Sequence, residues 1–286
     1  MAVIGGVNCA FAHDGTTFAA GLGWSASESA TATRQAHSGT DLALESYDGI
    51  VDWTGTCTGI GVEPPMFPGT DFTFLGSIDQ VLGVTGPARC TGMQVVVDYE
   101  ASVPVMWTLD IAMQGGALVR GAAAAEDTSV TLPVVPKAFP AATVMTASVA
   151  ESPDYAALPN ITKFTISMKE AAGTYSSSDT GLTTGRTPGN LDITATLEGA
   201  VQNGAGKGYL DWPDTDEILH VRAFVNQTKY WGVNWLRFTG YNPGAQASDN
   251  VLRVSLPAVL AASQSAGTAS LGFVDTPGGT RIWGPA

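Results

Sequence analysis

Residues 93–114, MQVVVDYEASVPVMWTLDIAMQ, are the stretch that decides the fold. Apolar and polar residues alternate through 93–100 and again through 105–114, and the four residues ASVP lie between the two runs. Alternation with a period of two is typical of strands that bury one face. The stretch therefore predicts an antiparallel hairpin with an apolar face and a polar face.

The alternation assigns a face to each residue of this hairpin. The face expected to build the core carries Val95, Val97, Tyr99, Val105, Trp107, Leu109, Ile111 and Met113. The opposite face carries Gln94, Val96, Asp98, Met106, Thr108, Asp110, Ala112 and Gln114. This second set is expected to meet either water or a neighbouring molecule.

The whole-chain composition agrees with a strand-rich fold. Only 14% of the 286 residues are charged, and 34 Gly and 16 Pro favour short strands joined by tight turns. Helical periodicity is limited to two short candidates, SIDQVLG (77–83) and LPAVLAASQS (256–265). The sequence predicts a mainly β protein with few short helices.

The net charge of −13 is unevenly distributed. Residues 1–130 hold three basic residues against fourteen acidic ones, a net charge of −11, whereas residues 131–286 hold ten against twelve, a net charge of −2. General nucleic-acid binding needs a basic face that releases counterions from phosphate, so this class of function is disfavoured. The two parts of the chain are expected to present different surfaces.

Compartment signals point to synthesis in the cytoplasm. No run of about 18 apolar residues exists, and the amino-terminal stretch resembles no signal peptide, so neither a membrane helix nor an outer-membrane barrel is expected. Cys9, Cys57 and Cys90 are too few for a disulfide framework and lack the spacing of a zinc site. We expect them to be small buried apolar residues.

No catalytic motif is present. His13, His37 and His220 lie in unrelated contexts, and the sequence contains no nucleophile elbow and no phosphate-binding loop. An enzyme such as a β-rich hydrolase is therefore disfavoured, and no cofactor and no metal are expected. One weak cation candidate lies in DWPDTDE, namely Asp211, Asp214, Asp216 and Glu217. A plain acidic turn is the preferred interpretation of that loop.

The plan of the first half recurs in the second. NLDITATLEGAV (190–201) parallels IVDWTGTCTGIG (50–61), and TDEILHVRAFVN (215–226) takes the place of GTDFTFLGSID (69–79). The pair WLRFTGY and NVLRVSLPAV then matches the hairpin. The recurrence predicts two tandem antiparallel β-sandwich or barrel-like domains, at 1–120 and 161–286, joined by a linker at 121–160 with extended segments.

Four motifs in a fixed order carry a resemblance to a known family. They are GWSASESATAT (23–33), DGIVDWTGTCTGIG (48–61), FPGTDFTFLGS (67–77) and GPARCTGMQVVVDYEASVPVMWTLDIAMQGG (86–116). This order resembles the tail tube proteins of long-tailed bacteriophages, with Phe72 and Phe74 forming the Phe-x-Phe strand. The loop before that strand, Pro68 to Asp71, is one residue longer than the family's Pro-Gly-Asp loop. In the second half only the plan survives.

The resemblance implies a structural protein of the virion, made in the host bacterial cytoplasm. Its rings would stack into a hollow tube that delivers double-stranded DNA without binding it specifically, beside tape measure, terminator and distal tail proteins. In the family six chains, each with one tube domain, form a ring. Because this chain is expected to hold two such domains, the resemblance implies a trimer with pseudo-sixfold symmetry. A true hexamer with the second domain outside is the competing arrangement. Carboxylates in the lumen would repel phosphate.

Three groups of candidate residues follow. Candidates for the lumen are Gln94, Asp98, Thr108, Asp110 and Gln114, and candidates for contacts between subunits or domains are Arg237 and Arg253. Candidates for the core are Trp53, Phe72, Phe74, Val95, Val97, Trp107, Leu109 and Ile111. The polar segment 28–49 is expected to reach an adjacent ring and to become ordered on stacking.

The alternative is a binding module on the virion surface, either a capsid decoration or a protein that binds a receptor or a glycan. Trp212, Trp231 and Trp235 would then form an exposed platform for sugar rings. Packing of these side chains in the core is the simpler interpretation.

Overall fold

In the computed structural model most of the described residues form antiparallel strands. The described residues are 11–17, 21–31, 33–36, 44–47, 49–61, 64–77, 82–100, 105–123, 144–148, 156–158, 160–177, 181, 183–201, 218–225, 230–245, 252–261 and 271–274. These residues contain no helix, so the mainly β prediction is confirmed, whereas the few short helices are not found among them. No helix in the described ranges is long and apolar enough to cross a membrane.

The strands of the first half are β1 (Phe11–His13), β2 (Thr16–Thr17), β3 (Gly21–Ala30), β4 (Thr33–Ala36), β5 (Leu44–Tyr47), β6 (Val51–Ile60), β7 (Asp71–Ser77), β8 (Leu82–Asp98), β9 (Val105–Met113) and β10 (Val119–Ala123). The later strands are β11 (Val144–Ser148), β12 (Ala156–Leu158), β13 (Ile161–Glu170), β14 (Gly173–Tyr175), β15 (Gly185–Thr187), β16 (Leu191–Val201), β17 (Ile218–Phe224), β18 (Tyr230–Phe238), β19 (Asn242–Ala245), β20 (Leu252–Leu260) and β21 (Leu271–Val274).

The first half packs two layers around one core. One layer has the order β3-β6-β9-β8, and the other contains β1, β7, β10 and the first part of β8. The long strand β8 therefore passes from one layer to the other. Phe74 of β7 packs against Trp53 of β6, with ring centroids 6.1 Å apart, and against Trp24 of β3 at 5.6 Å. These contacts between strands that are not paired define the sandwich.

The hairpin at 93–114 forms as β8 and β9, and its alternating apolar side chains are buried. All eight residues proposed for the core are at most 7% exposed: Trp53, Phe72, Phe74, Val95, Val97, Trp107, Leu109 and Ile111. Ala112 was expected on the polar face but is 3% exposed. It stands opposite Arg89, whose buried side chain lies on the same face.

The second half repeats the pairing order of the first. Seven strand pairs of the first half each have a counterpart in the second half. They are β3–β6 with β13–β16, β6–β9 with β16–β20, β8–β9 with β18–β20, β7–β8 with β17–β18, β1–β7 with β11–β17, β1–β2 with β11–β12, and β8–β10 with β18–β21. The hairpin β4–β5 likewise corresponds to β14–β15. Even a register irregularity recurs, next to Gly59 in one half and next to Gly199 in the other.

One sheet runs through both halves, because β13 pairs along the free edge of β8. The order β3-β6-β9-β8-β13-β16-β20-β19 forms a continuous eight-stranded surface, which we call the long sheet. Two strands, β11 and β12, lie within the predicted linker 121–160. The division into domains 1–120 and 161–286 stays a prediction, and its two parts share this sheet.

One helix candidate is wrong and the other is only partly described. Residues 256–260 end strand β20, where Leu256 and Ala258 are buried between β16 and β18. Pro257 fits a strand here because it lies where β18 gives way to β19, and its carbonyl accepts a hydrogen bond from Thr239 N–H at 2.9 Å. Both described ends of 77–83 are strand, and residues 78–81 lie outside the described residues.

Candidate assembly interface

The long sheet contains a seam at which the second half adds to the first. At this seam β13 runs antiparallel to β8, with Lys163 opposite Asp98 and Lys169 opposite Gly92. Phe164 and Ile166 of β13 are fully buried there beside Val97 and Val95. The seam therefore joins the halves both by a backbone ladder and by a shared apolar core.

An ion cluster closes one end of the seam. Arg89 of β8 donates to both carboxylate oxygens of Glu170 of β13, through Nε at 2.8 Å and Nη2 at 2.7 Å. Its Nη1 donates to Asp71 Oδ1 at 2.6 Å. The Arg89 and Glu170 side chains are only 5% and 2% exposed, so the pair is shielded from water.

The chemistry of the cluster keeps both partners charged. The hydrogen bonds from Arg89, with a further one from Gly189 N–H, hold the pKa of Glu170 below its usual value despite burial. The hydrogen bond to Glu170 likewise raises the pKa of Arg89. A fork-to-fork geometry of this kind fixes the relative position of two strands. Its role is to hold the seam in register.

A second cluster ties the β14–β15 hairpin to the first half. Arg186 of β15 donates to both oxygens of Asp52, at 3.2 Å and 3.0 Å from Nη2, and also to the carbonyl of Met113. Gln114 accepts from Arg186 N–H at 2.8 Å and donates to the Arg186 carbonyl at 3.2 Å. The hairpin of the second half thus lies across the start of β6 and the end of β9.

One face of the long sheet points away from the core and is rich in hydroxyl and amide groups; we call it the polar face. One row across its strands contains Thr58, Thr108, Gln94, Ser167 and Thr194. The charges on this face are mixed. Asp98 stands opposite Lys163, whose Nζ lies 3.1 Å from Glu198 Oε1.

The predicted lumen candidates do not all lie together. Gln94, Asp98, Thr108 and Asp110 share the polar face of the neighbouring strands β8 and β9. Gln114 lies beyond the end of β9, where its side chain bonds to Arg186 and Asp71 instead. The polar groups of Gln114 are thus taken up by Asp71 and by the hairpin β14–β15, and the assignment of the five candidates to a lumen stays a prediction.

The candidates for contacts between domains have separate positions. Arg253 of β20 reaches Glu100 of the first half, with Nη1 3.3 Å from Oε2, and both side chains are exposed. Arg237 lies on β18 between Ile218 and Val259. The cation candidates Asp211, Asp214, Asp216 and Glu217 lie outside the described residues, and no metal-binding cluster occurs within the described part of the chain.

Two of the three platform tryptophans can be placed. Trp231 is fully buried, and Trp235 is half-buried with its ring 5.5 Å from that of His220. Trp212 lies outside the described residues. Trp231 therefore cannot form part of an exposed platform for sugar rings, because its side chain packs in the core.

Arg89, Glu170 and Arg186 are interface residues that the sequence patterns did not identify. A signal for Glu170 was present in ITKFTISMKE, where Phe164, Ile166 and Met168 mark the inward positions and Glu170 continues the series. A carboxylate at an inward position requires a buried cationic partner. The identity of that partner depends on which strands pair, which no local pattern reveals.

The long sheet ends in two open edges. Among the described residues β3 pairs only with β6, and β19 pairs only with β20. Unpaired edges attract further strands unless they are covered. In the first repeat β3 occupies the position that β13 occupies in the second, and β19 occupies the position of the second part of β8. The open edges at β3 and β19 therefore match each other in the same way as β13 and β8, which pair at the seam.

No family model matches the sequence, and no curated protein matches it. One similar solved structure, "Virion of native gene transfer agent (GTA) particle", has a TM-score of 0.35 and 17% identity, over 41% of this chain and 98% of that chain. Another, "Tail of empty GTA particle computed with helical refinement, C6 symmetry", has a TM-score of 0.34 and 16% identity over the same shares.

Proposed function

We propose that this chain is a structural protein of a phage tail, and that its copies assemble into the stacked rings of the tail tube through which DNA passes. The observation that carries the proposal is the long sheet, in which two repeats of one β unit are joined edge to edge and, among the described residues, leave a matching open edge at each end. A heterologous contact of this kind, repeated from copy to copy, forms a ring when the rotation between copies closes, and the proposed tube requires that closure. The motif order at 23–116 agrees with this role.

In this proposal three chains supply six repeats to each ring, and the polar face lines the lumen. The face presents hydroxyl and amide groups, and its Asp98 stands opposite Lys163. Phosphate therefore meets little net attraction, and the overall charge of −13 opposes adhesion further. The role needs no catalytic group and no cofactor. Tape measure, terminator and distal tail proteins are the other proposed partners.

Electron microscopy of the purified protein tests the tube directly. Stacked rings or hollow tubes are the expected result, and a ring mass near three times 29.4 kDa is expected in solution. A mass near six times that value would replace the trimer by a hexamer and leave the tube intact. Particles that remain single chains at high concentration would contradict the tube.

A further inference from the structure

The seam inside the chain provides a template for the contact between chains. We propose that β3 of one copy pairs antiparallel with β19 of the next copy, in the register that β13 adopts beside β8. This inference deepens the proposed function and rests on its head-to-tail assembly. The partner is a second copy of this chain, and the pairing places Ser27 directly opposite Asn242.

The register follows from equivalent positions in the two repeats. Gly59 stands opposite Gly21 in β3, and Gly199 stands opposite Ile161 in β13. Counting six residues along each strand makes Ser27 the counterpart of Ser167. The first strands of the two repeats are thereby aligned residue by residue.

The same reasoning aligns β19 with β8. Thr108 of β9 pairs with Gln94, and its counterpart Ser255 of β20 pairs with Asn242. Gln94 in turn stands opposite Ser167 across the seam. Asn242 is thus the counterpart of Gln94, and on the side away from β20 no strand pairs with it among the described residues.

The side chains at these equivalent positions have matching chemistry. Across the internal seam Gln94 Nε2 donates to Ser167 Oγ at 3.2 Å. Between copies the same place pairs the amide of Asn242 with the hydroxyl of Ser27, and both residues are exposed in the single chain. A primary amide and a serine hydroxyl therefore meet at both seams.

The apolar side of the seam is matched as well. Phe164 of β13 is fully buried at the internal seam, and its counterpart in β3 is Trp24, which is half-buried in the single chain. Pairing with a second copy would cover Trp24. Pro243 on β19 lacks a backbone donor, so the backbone ladder at this edge is weaker for any added strand, β3 of the next copy included. The contacts between side chains, rather than the backbone ladder, then contribute more to determining which strand pairs with β19.

The template also gives the hairpin β4–β5 a place. Its counterpart β14–β15 lies across the first half through Arg186 and Asp52. The β4–β5 hairpin of one copy would accordingly lie across the second half of its neighbour, near Asp192, the counterpart of Asp52. The strands β4 and β5 thus contact a neighbour within the ring, whereas the sequence predicted that segment 28–49 would reach an adjacent ring; residues 32, 37–43 and 48 of that segment lie outside the described residues.

Disulfide trapping tests the register. The test variant combines Ser27→Cys and Asn242→Cys with Cys9→Ala, so that the two introduced thiols remain beside the buried Cys57 and Cys90. The protein is oxidised and run on a non-reducing gel. Directly opposite residues have Cβ atoms about 4.5–5.5 Å apart, close enough to be bridged with little movement. We expect a ladder of covalent multimers that collapses on reduction.

Two matched variants serve as controls. Gln94→Cys with Ser167→Cys marks the internal seam and should form its bridge within one chain, with no multimers. Ser25→Cys with Asn242→Cys shifts the register by two residues and should give at least about fivefold less multimer, because diagonal neighbours lie about 7–8 Å apart.

The outcomes separate this inference from the tube. Assembled rings in microscopy without multimers from Ser27→Cys/Asn242→Cys would overturn the register and leave the tube standing. Multimers without rings or tubes would support the strand pairing and overturn the tube. A chain that gives neither multimers nor particles overturns both.

Discussion

Arg89 and Glu170 lie 81 positions apart in the chain and form a bidentate ion pair that is almost sealed from water. Each comes from a different repeat, so the pair is a contact between repeats. Arg89 also keeps a partly exposed partner in Asp71, whereas removal of Arg89 leaves Glu170 with the N–H of Gly189 as its one partner among the described residues. The two partners are therefore unequally supported.

This asymmetry predicts unequal costs of mutation. Removing one partner of a buried pair typically costs about 3–5 kcal/mol, because the other charge is left uncompensated. Arg89→Met is expected at the upper end of this range and Glu170→Gln at or below the lower end, in urea unfolding of the single chain. The half-buried pair of Lys163 and Glu198 is the control, and Glu198→Gln should cost at most about 1 kcal/mol, because water still reaches both charges. Equal costs for Glu198→Gln and for the variants of the buried pair would contradict this account.

The same pair predicts a dependence on pH. The pKa of Glu170 is lowered in the folded chain, so its contribution to stability is complete above the unfolded value of 4.5 and is lost as pH falls through the lower folded value. Below pH 4.5 the free energy of unfolding should fall more steeply in the natural chain than in Glu170→Gln. Unfolding curves at a series of acidic pH values measure both slopes. Parallel slopes would show that Glu170 titrates normally.

Close packing at a glycine gives a further prediction. A Cβ added at Gly59 would lie 2.1 Å from the ring of Trp107, which is 2% exposed and cannot move without disturbing the core. Gly59→Ala should therefore destabilise the fold by about 1–3 kcal/mol. Gly23→Ala on the adjacent strand is the control, because its Cβ meets Thr58 Oγ1 only at 3.9 Å. The melting temperatures of the two variants test this prediction: Gly59→Ala should melt well below the natural chain, and Gly23→Ala should melt close to it.

The local patterns and the long-range contacts were not equally predictable. Alternation located the β8–β9 hairpin and its buried tryptophan, because burial of one face is recorded residue by residue. The alignment of Gly199 with Gly59 likewise identified equivalent strands. The passage of β8 between layers, with a register shift between Cys90 and Gly92, left no local signal. The partner of Glu170 was equally hidden, since strand pairing is set by the whole fold.

The cysteines provide a test of burial that does not require unfolding data. Cys57 and Cys90 are fully buried, and burial raises the pKa of the Cys57 thiol to about 12 and raises that of Cys90 as well. Thiolate is the reactive form, so both should resist a thiol reagent such as DTNB in the folded chain. In a Cys9→Ala background we expect no labelling in buffer and two thiols in denaturant. Rapid labelling of the folded chain would contradict the described packing.

The last prediction concerns His220, whose ring lies edge-on to Trp235 at 5.5 Å. Burial lowers the pKa of His220 below 6.5, and the positive charge of Arg222 lowers it further. A hydrogen bond with Asn234 acts in the opposite direction. The neutral ring is therefore preferred in the fold, and its contribution is complete above pH 6.5 and is lost as pH falls through the folded pKa. Carboxylates stay largely ionised just below pH 6.5, so a decline in stability beginning there identifies histidine. We expect that decline in the natural chain and in the control His13→Gln, and a shallower one in His220→Gln. If His220→Gln declines as steeply as the natural chain, the ring takes up its proton in the fold without penalty, and its packing against Trp235 does not exclude charge.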